Sequence, residues 1–152
     1  MSVAFPDEFD WQCANVLIGN GDAYSTAAAE EFLLAARSKN IDVCTQAEYV
    51  HNSGDMSAAI KKIIDNRCCT VTVVFGQTTD LAALFLEAHK QNYGGEWVVG
   101  DWVVSTIDVL INEMKRHSQR MGARLSESQI HEVLRGILVV ETVSQCLRAN
   151  RA

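Results

Sequence analysis

Cys13-Ala14-Asn15-Val16-Leu17-Ile18-Gly19-Asn20-Gly21-Asp22-Ala23-Tyr24-Ser25 decides how the rest of this chain is read. Its first half, Cys13 to Ile18, is short, apolar and β-branched toward its end, which suits a strand buried on both faces better than a helix. Gly19 closes it. Asp22 or Ser25 can cap the next segment, where Ala28, Phe32, Leu33, Ala35 and Ala36 form one apolar stripe with Glu30, Glu31, Arg37 and Lys39 off it. A strand, a Gly/Asp turn and an amphipathic helix in succession open an α/β sheet, and in open sheets of this kind ligands sit at the C-terminal edge of the strands.

The same unit recurs. Ile41 to Cys44 reads as a short second strand, followed by a polar loop through Tyr49, His51, Asn52, Ser53 and Gly54. A helix starting at Asp55 or Ser57 buries Ala59, Ile60, Ile63 and Ile64, and Val71 to Phe75 is the clearest strand of all. Gln77-Thr78-Thr79-Asp80 then forms a turn with a helix cap, Leu81, Leu84, Phe85 and Ala88 supply the apolar face of a third helix, and Glu96 to Gly100 makes a fourth strand. Ser105 to Arg116 returns to helical spacing. Beyond Gly122 two readings stand, one long helix or a helix to about Leu134 followed by a strand at Ile137-Leu138-Val139-Val140. The run of branched apolar residues favours the strand.

The pattern predicts an α/β fold: a three-layer, doubly wound, mainly parallel five-stranded sheet of order 2-1-3-4-5, flavodoxin-like. Residues 1–10 are expected to form an arm, 11–141 a single α/β lobe and 142–152 a helical or frayed tail. In that order the loops after Ile18, Phe75 and Val99 converge, which gathers Asp22, Tyr24, Gln77, Thr78, Asp101 and Trp102 at the switch point as candidate ligand-binding residues.

With 152 residues, 48% of them apolar, the chain can fill one substantial core. Its net charge of −6 and the lack of a basic stretch interleaved with aromatics argue against nucleic acid. Lys115-Arg116-His117 with Arg120 and Arg124 reads as a solvated helix end. No apolar run reaches the ~18 residues of a membrane span, and acids occupy the N-terminus where a signal peptide has bases, so a soluble segment without direct membrane insertion is expected. The five cysteines show no zinc spacing and are expected to pack as buried free thiols.

Several chemistries fail on particular residues. Gly19-x-Gly21 lacks the third glycine of a dinucleotide loop, since Tyr24 stands there, and no Gly-Lys-Ser/Thr comes after it for a P-loop. A phospho-acceptor cluster needs an acid ending the third strand, where Phe75 and Gly76 stand. No GxSxG elbow is present, and His51, His89, His117 and His131 follow no predicted strand directly, so they read as surface histidines. The expectation is no enzyme, no metal and no cofactor. Tyr24, Asp101 and Trp102 offer recognition instead, two aromatic walls and a carboxylate for an ammonium group. From spacing alone, the alternative that they plug the sheet edge and cap a helix is equally good.

A set of motifs in order tips that balance. Trp11 precedes the first strand, Gly21-Asp22-Ala23-Tyr24 forms a Gly/Asp turn ending in Tyr, and Ala29-Glu30-Glu31-Phe32 lies on the helix. Asp55-Met56-Ser57-Ala58-Ala59-Ile60 precedes the second helix, Val73-Val74-Phe75-Gly76 ends the third strand, and Trp97-Val98-Val99-Gly100-Asp101-Trp102 is similar to a Trp-x-x-Gly-Ser-Asp-x-Trp signature without its Ser. From Trp11 to Trp102 the chain resembles the second lobe of the type I periplasmic binding protein superfamily, in eukaryotes the receptor-family ligand-binding region of metabotropic glutamate, GABA-B and natriuretic peptide receptors. The resemblance also supports the fifth strand. It implies a receptor or sensor lobe, with Tyr24 and Asp101 lining a cleft that takes a small amino-acid-like ligand by hinge closure against a first lobe, for which this sequence has no counterpart. It further implies a parent protein on the extracellular side of a membrane. The alternative is a stand-alone flavodoxin-like interaction domain with Tyr93, Trp97 and Trp102 on an exposed apolar patch, a reading with which self-association also fits.

Overall fold

A computed structural model describes residues 12–66, 68–100, 107–122, 124–135 and 137–140. The expected arm and tail, Trp11, Asp101, Trp102 and Cys146 lie outside the described residues.

Five strands, β1 (Cys13–Asn20), β2 (Asp42–Val50), β3 (Val71–Phe75), β4 (Glu96–Gly100) and β5 (Ile137–Val140), form one parallel sheet in the order β2-β1-β3-β4-β5. The helices are α1 (Ala23–Ser38), α2 (Ser57–Asp65), α3 (Thr78–Lys90), α4 (Ile107–Arg120) and α5 (Glu127–Val133). The strand at Ile137 is therefore formed, and the long-helix alternative is not.

The sheet has a core on each face because successive strand residues point to opposite sides. Val16 and Ile18 of β1, with Val73 and Phe75 of β3, pack beneath α1 around Phe32, whose complete burial contributes on the order of 2 kcal/mol. Leu17, Val74, Trp97 and Val99 face the other way, onto α2, α3, α4 and α5 through Ile60, Leu84, Phe85, Leu110, Met114 and Ile130. Trp97 is only 6% exposed and Tyr93 packs against the same core, with ring centroids 5.1 Å apart. The apolar patch expected for an interaction domain is thus absent at both residues, since each fills the seam between α3 and the sheet.

Strand β2 is longer than its sequence suggests. Thr45, Ala47 and Tyr49 are buried while Gln46, Glu48 and Val50 are exposed, the period-two pattern of an edge strand. The expected polar loop over this stretch is corrected accordingly. Its polar members are the outward half of a strand that pairs with β1 as far as Asn20↔Val50.

The cysteines also depart from expectation. Instead of buried thiols, Cys13 is bonded to Cys69 and Cys44 to Cys68, with Cα–Cα separations of 5.9 and 6.1 Å, ordinary for disulfides. Cys68-Cys69 lies just ahead of β3, beside the beginnings of β1 and β2, so one dipeptide staples three strands at the N-terminal edge. Beside it the buried Asn15 amide donates to Cys69 O at 3.0 Å, which satisfies a polar side chain inside the sheet.

Candidate functional site

At the opposite, C-terminal edge the loops after β1, β2 and β3 meet. Gly21, at φ +96°, turns the chain sharply after β1, a conformation that side chains with a Cβ rarely adopt. This sets Asp22 as the N-cap of α1, where its Oδ2 accepts from the backbone N–H of Ser25 at 3.3 Å and from Ser25 Oγ at 2.5 Å. The same oxygen accepts from Gln77 Nε2 at 3.2 Å, which ties the loop after β1 to the loop after β3 across the switch point. Partial burial alone would raise the Asp22 pKa, but the Ser25 and Gln77 hydrogen bonds and the nearby His51 together hold it below the ordinary 3.8.

His51 directly follows β2, and its backbone N–H donates to Asn20 O at 2.9 Å, which seats it against the β1–α1 turn. Its Nδ1 is 2.5 Å from Asp80 Oδ2, and the other carboxylate oxygen of Asp80 accepts from the backbone N–H of Asn52 at 3.0 Å. The Asp80 side chain is 3% exposed and that of His51 is 24% exposed. A carboxylate so deeply buried requires compensation, and a histidine plus one backbone donor supply it. The Asp80 hydrogen bond, opposed by partial desolvation and reinforced by the charges of Asp80 and Asp22, raises the His51 pKa above 6.5. His51 Nε2 points away from Asp80 and has the Asn52 side-chain amide 3.2 Å from it, on the exposed side of the loop.

Tyr49 forms the floor beneath these loops. It is 3% exposed, its hydroxyl donates to Phe75 O at 2.9 Å, and burial together with the charges of Asp80 and Asp22 raises its pKa strongly. On the α4 side of Asp80 opens a polar cleft of about 180 Å³, bordered by Asn52, Thr79, Asp80, Glu113, His117 and Arg120.

Of the six candidates read from sequence, Asp22 and Gln77 are in direct contact. Thr78 begins α3 and is half-buried beside them. Tyr24 lies in the first turn of α1, half-buried against the α1-side core. Asp101 and Trp102 fall outside the described residues. Two residues escape the sequence pattern. His51 reads as a surface residue because a second strand ending at Cys44 is too short to lead into it, and Asp80 reads only as a cap. Its signal is nonetheless present, since an Asp one residue before Leu81 and four before Leu84 lies on the buried stripe of its helix.

Among the described residues no hydroxyl or thiol is seen hydrogen-bonded to His51, so its pairing with Asp80 does not extend to a nucleophile. Nor do the described residues contain three His, Cys, Asp or Glu side chains placed to hold a metal. No described helix is long and apolar enough to cross a membrane.

Solved structures share the fold. A periplasmic binding protein type 1 from Bordetella pertussis Tohama I is similar at a TM-score of 0.58 and 15% identity, over 86% of this chain and 30% of that one. A possible leucine/isoleucine/valine-binding protein from Rhodopirellula baltica SH 1 matches at a TM-score of 0.53 and 12% identity, over 70% of this chain and 29% of that one. The chain thus spans about 30% of the length of these structures. No curated protein matches it by sequence. Residues 2–146 match the family model of the receptor family ligand binding region, nearly the whole chain. With that match and the 2-1-3-4-5 sheet in agreement, the chain belongs to the receptor-family ligand-binding region, with the fold of a type I periplasmic binding protein.

Proposed function

We propose that this chain is the second lobe of a receptor or sensor ligand-binding region, and that it recognises a small amino-acid-like ligand by closing against a first lobe. The observation that carries this reading is the polar constellation at the switch point, where Asp22, Gln77 and His51 from three loops lie together above a packed floor. Lobes of this class bind ligand there, and the depressed pKa keeps Asp22 a carboxylate able to face an ammonium group. The leucine/isoleucine/valine-binding description of one structural neighbour agrees with an amino-acid-like ligand. Tyr24, Thr78, Asp101 and Trp102 complete the proposed set. The span of about 30% of the neighbours' length fits one lobe of a two-lobed protein. Two disulfides fit a chain that matures in an oxidising compartment and acts outside the cell or in the periplasm.

A single lobe supplies half of the burial that a closed cleft gives its ligand, so affinities on the order of 1 mM or weaker are expected of the chain alone. Titration of the 152-residue chain with the common amino acids and small amines, followed by calorimetry and by NMR shifts of Tyr24, tests the reading. Binding that is weakened by Tyr24→Ala and by Asp22→Asn supports it. Absence of any shift at the C-terminal edge, or binding indifferent to both substitutions, refutes it.

A further inference from the structure

We propose that His51, held in place by Asp80, is the group with which this lobe grips a carboxylate of its ligand, opposite the Asp22 carboxylate that faces an ammonium group. This deepens the reading above and rests on it, because it needs the cleft to lie at the C-terminal edge.

The geometry separates the two nitrogens of the ring. Nδ1 is committed to Asp80, which is buried and fixed a second time by the Asn52 backbone N–H. Nε2 is on the outward side, and the exposed Asn52 Nδ2 beside it donates to Nε2 only while that nitrogen carries no proton; with the ring protonated, Nε2–H is left to a ligand oxygen. The ring orientation is therefore set by Asp80 of α3 and does not need Nε2 at all. A latch for the β2–α2 loop would need only the Asp80 contacts.

Charge points the same way. Asp80 backs the ring and favours its protonated form, while in front the β1–α1 turn brings Asp22 near enough for each group to shift the other's pKa. Once the ring is protonated, its Nε2 edge and the Asp22 carboxylate, on adjoining loops, present opposite charges to the two ends of a zwitterion. The groups that bear on His51 are Asp22 from the β1–α1 turn and Asp80 from α3. Beyond Asp80, across the polar cleft, α4 contributes Glu113, His117 and Arg120. Gln77 adds a hydrogen-bonding amide between the two loops without adding charge.

Three related probes test the assignment on the intact chain: L-alanine, propionate, which is alanine without its ammonium, and ethylamine, which is alanine without its carboxylate. Their effects are read on the His51 Cε1–H resonance, assigned by its loss in His51→Gln, and on the ring signals of Tyr24, at constant ionic strength. Alanine and propionate are expected to shift the His51 signal and raise its titration midpoint, since a bound carboxylate favours the imidazolium. Ethylamine is expected to move Tyr24 and leave His51 still. His51→Gln should weaken alanine binding about tenfold, the usual scale for one hydrogen bond to a charged group. Asp80→Asn, a smaller change in volume, should lower the His51 midpoint and weaken propionate binding while circular dichroism stays native. If alanine moves Tyr24 but neither alanine nor propionate moves His51, the cleft is real and the His51 assignment is overturned. If no probe moves either residue, both the assignment and the cleft reading fall.

Discussion

A methyl group added at Gly76 should destabilise the fold by about 2–4 kcal/mol, and the damage should run through one side chain. An ideal Cβ on Gly76 would stand 1.8 Å from the Tyr49 hydroxyl oxygen and 3.1 Å from Cζ. The nearest comfortable separation is about 3.5 Å, so the phenol must retreat by well over 1 Å. It has little room, because Tyr49 is 3% exposed and belongs to the core between the sheet and α2 and α3. Overpacking of this kind costs about 1–3 kcal/mol, and the displaced hydroxyl gives up its bond to Phe75 O, worth about 1 kcal/mol. Tyr49→Phe alone should cost only that last 1 kcal/mol. In the Gly76→Ala background the same change also removes the colliding atom, so the double variant should be more stable than the sum of the singles requires by about 1–2 kcal/mol. Urea unfolding of the four proteins, with unchanged m values, gives the coupling directly. A Gly76→Ala cost below about 0.5 kcal/mol, or a cycle additive to within about 0.5 kcal/mol, would refute the claim that Tyr49 is wedged against this turn.

Three further outcomes rest on the same structure. Reducing the disulfides should lower the melting temperature markedly, because bridges closing sequence separations of 56 and 24 residues contribute about 4 and 3.5 kcal/mol in the chain-entropy account; a melting curve with and without reductant checks it. Since His51 has a folded pKa raised above 6.5, its pairing with Asp80 stabilises fully below that value and the contribution fades as pH rises through the folded midpoint. The stability difference between the native chain and Asp80→Asn, measured by urea from about pH 5.5 to 8.5, should therefore shrink with rising pH, and a flat or growing difference would contradict the pairing. Ser126→Ala should cost about 1 kcal/mol, since Ser126 Oγ accepts from the Gln129 N–H at 3.3 Å and the Gln129 side chain accepts from the Ser126 N–H at 2.8 Å.

The order of the sheet is legible in the sequence because apolar runs such as Val71 to Phe75 and Ile137 to Val140 carry their own period, and their alternation with helical stripes leaves few topologies open. Asp22 and Gln77 are legible for the same reason, since topology alone brings the loops after β1 and β3 together. The rest depends on contacts that no local pattern encodes. Thr45 to Val50 looks polar because an edge strand shows half its residues to water, and a strand drawn short there detaches His51 from its end. Asp80 can be read as a cap because a first-turn acid is ordinary on helix-dipole grounds. Only its burial against the His51 ring distinguishes it. The cysteine pairing is hidden most completely, as adjacent Cys68 and Cys69 each find a partner on a different strand.

That pairing divides the molecule mechanically. Both bridges fall within the first half, where they bind β1, β2 and the lead-in to β3 into one covalent ring system at the end of the sheet away from the candidate site. The second half, from α3 through β5, has no covalent cross-link among the described residues and is held by sheet pairing and packing. Amide protons in β4 and β5 should therefore exchange with solvent through partial openings that leave β1 to β3 closed. A lobe built this way can loosen the wall beside its binding edge while the strands that carry Asp22 and His51 keep their register.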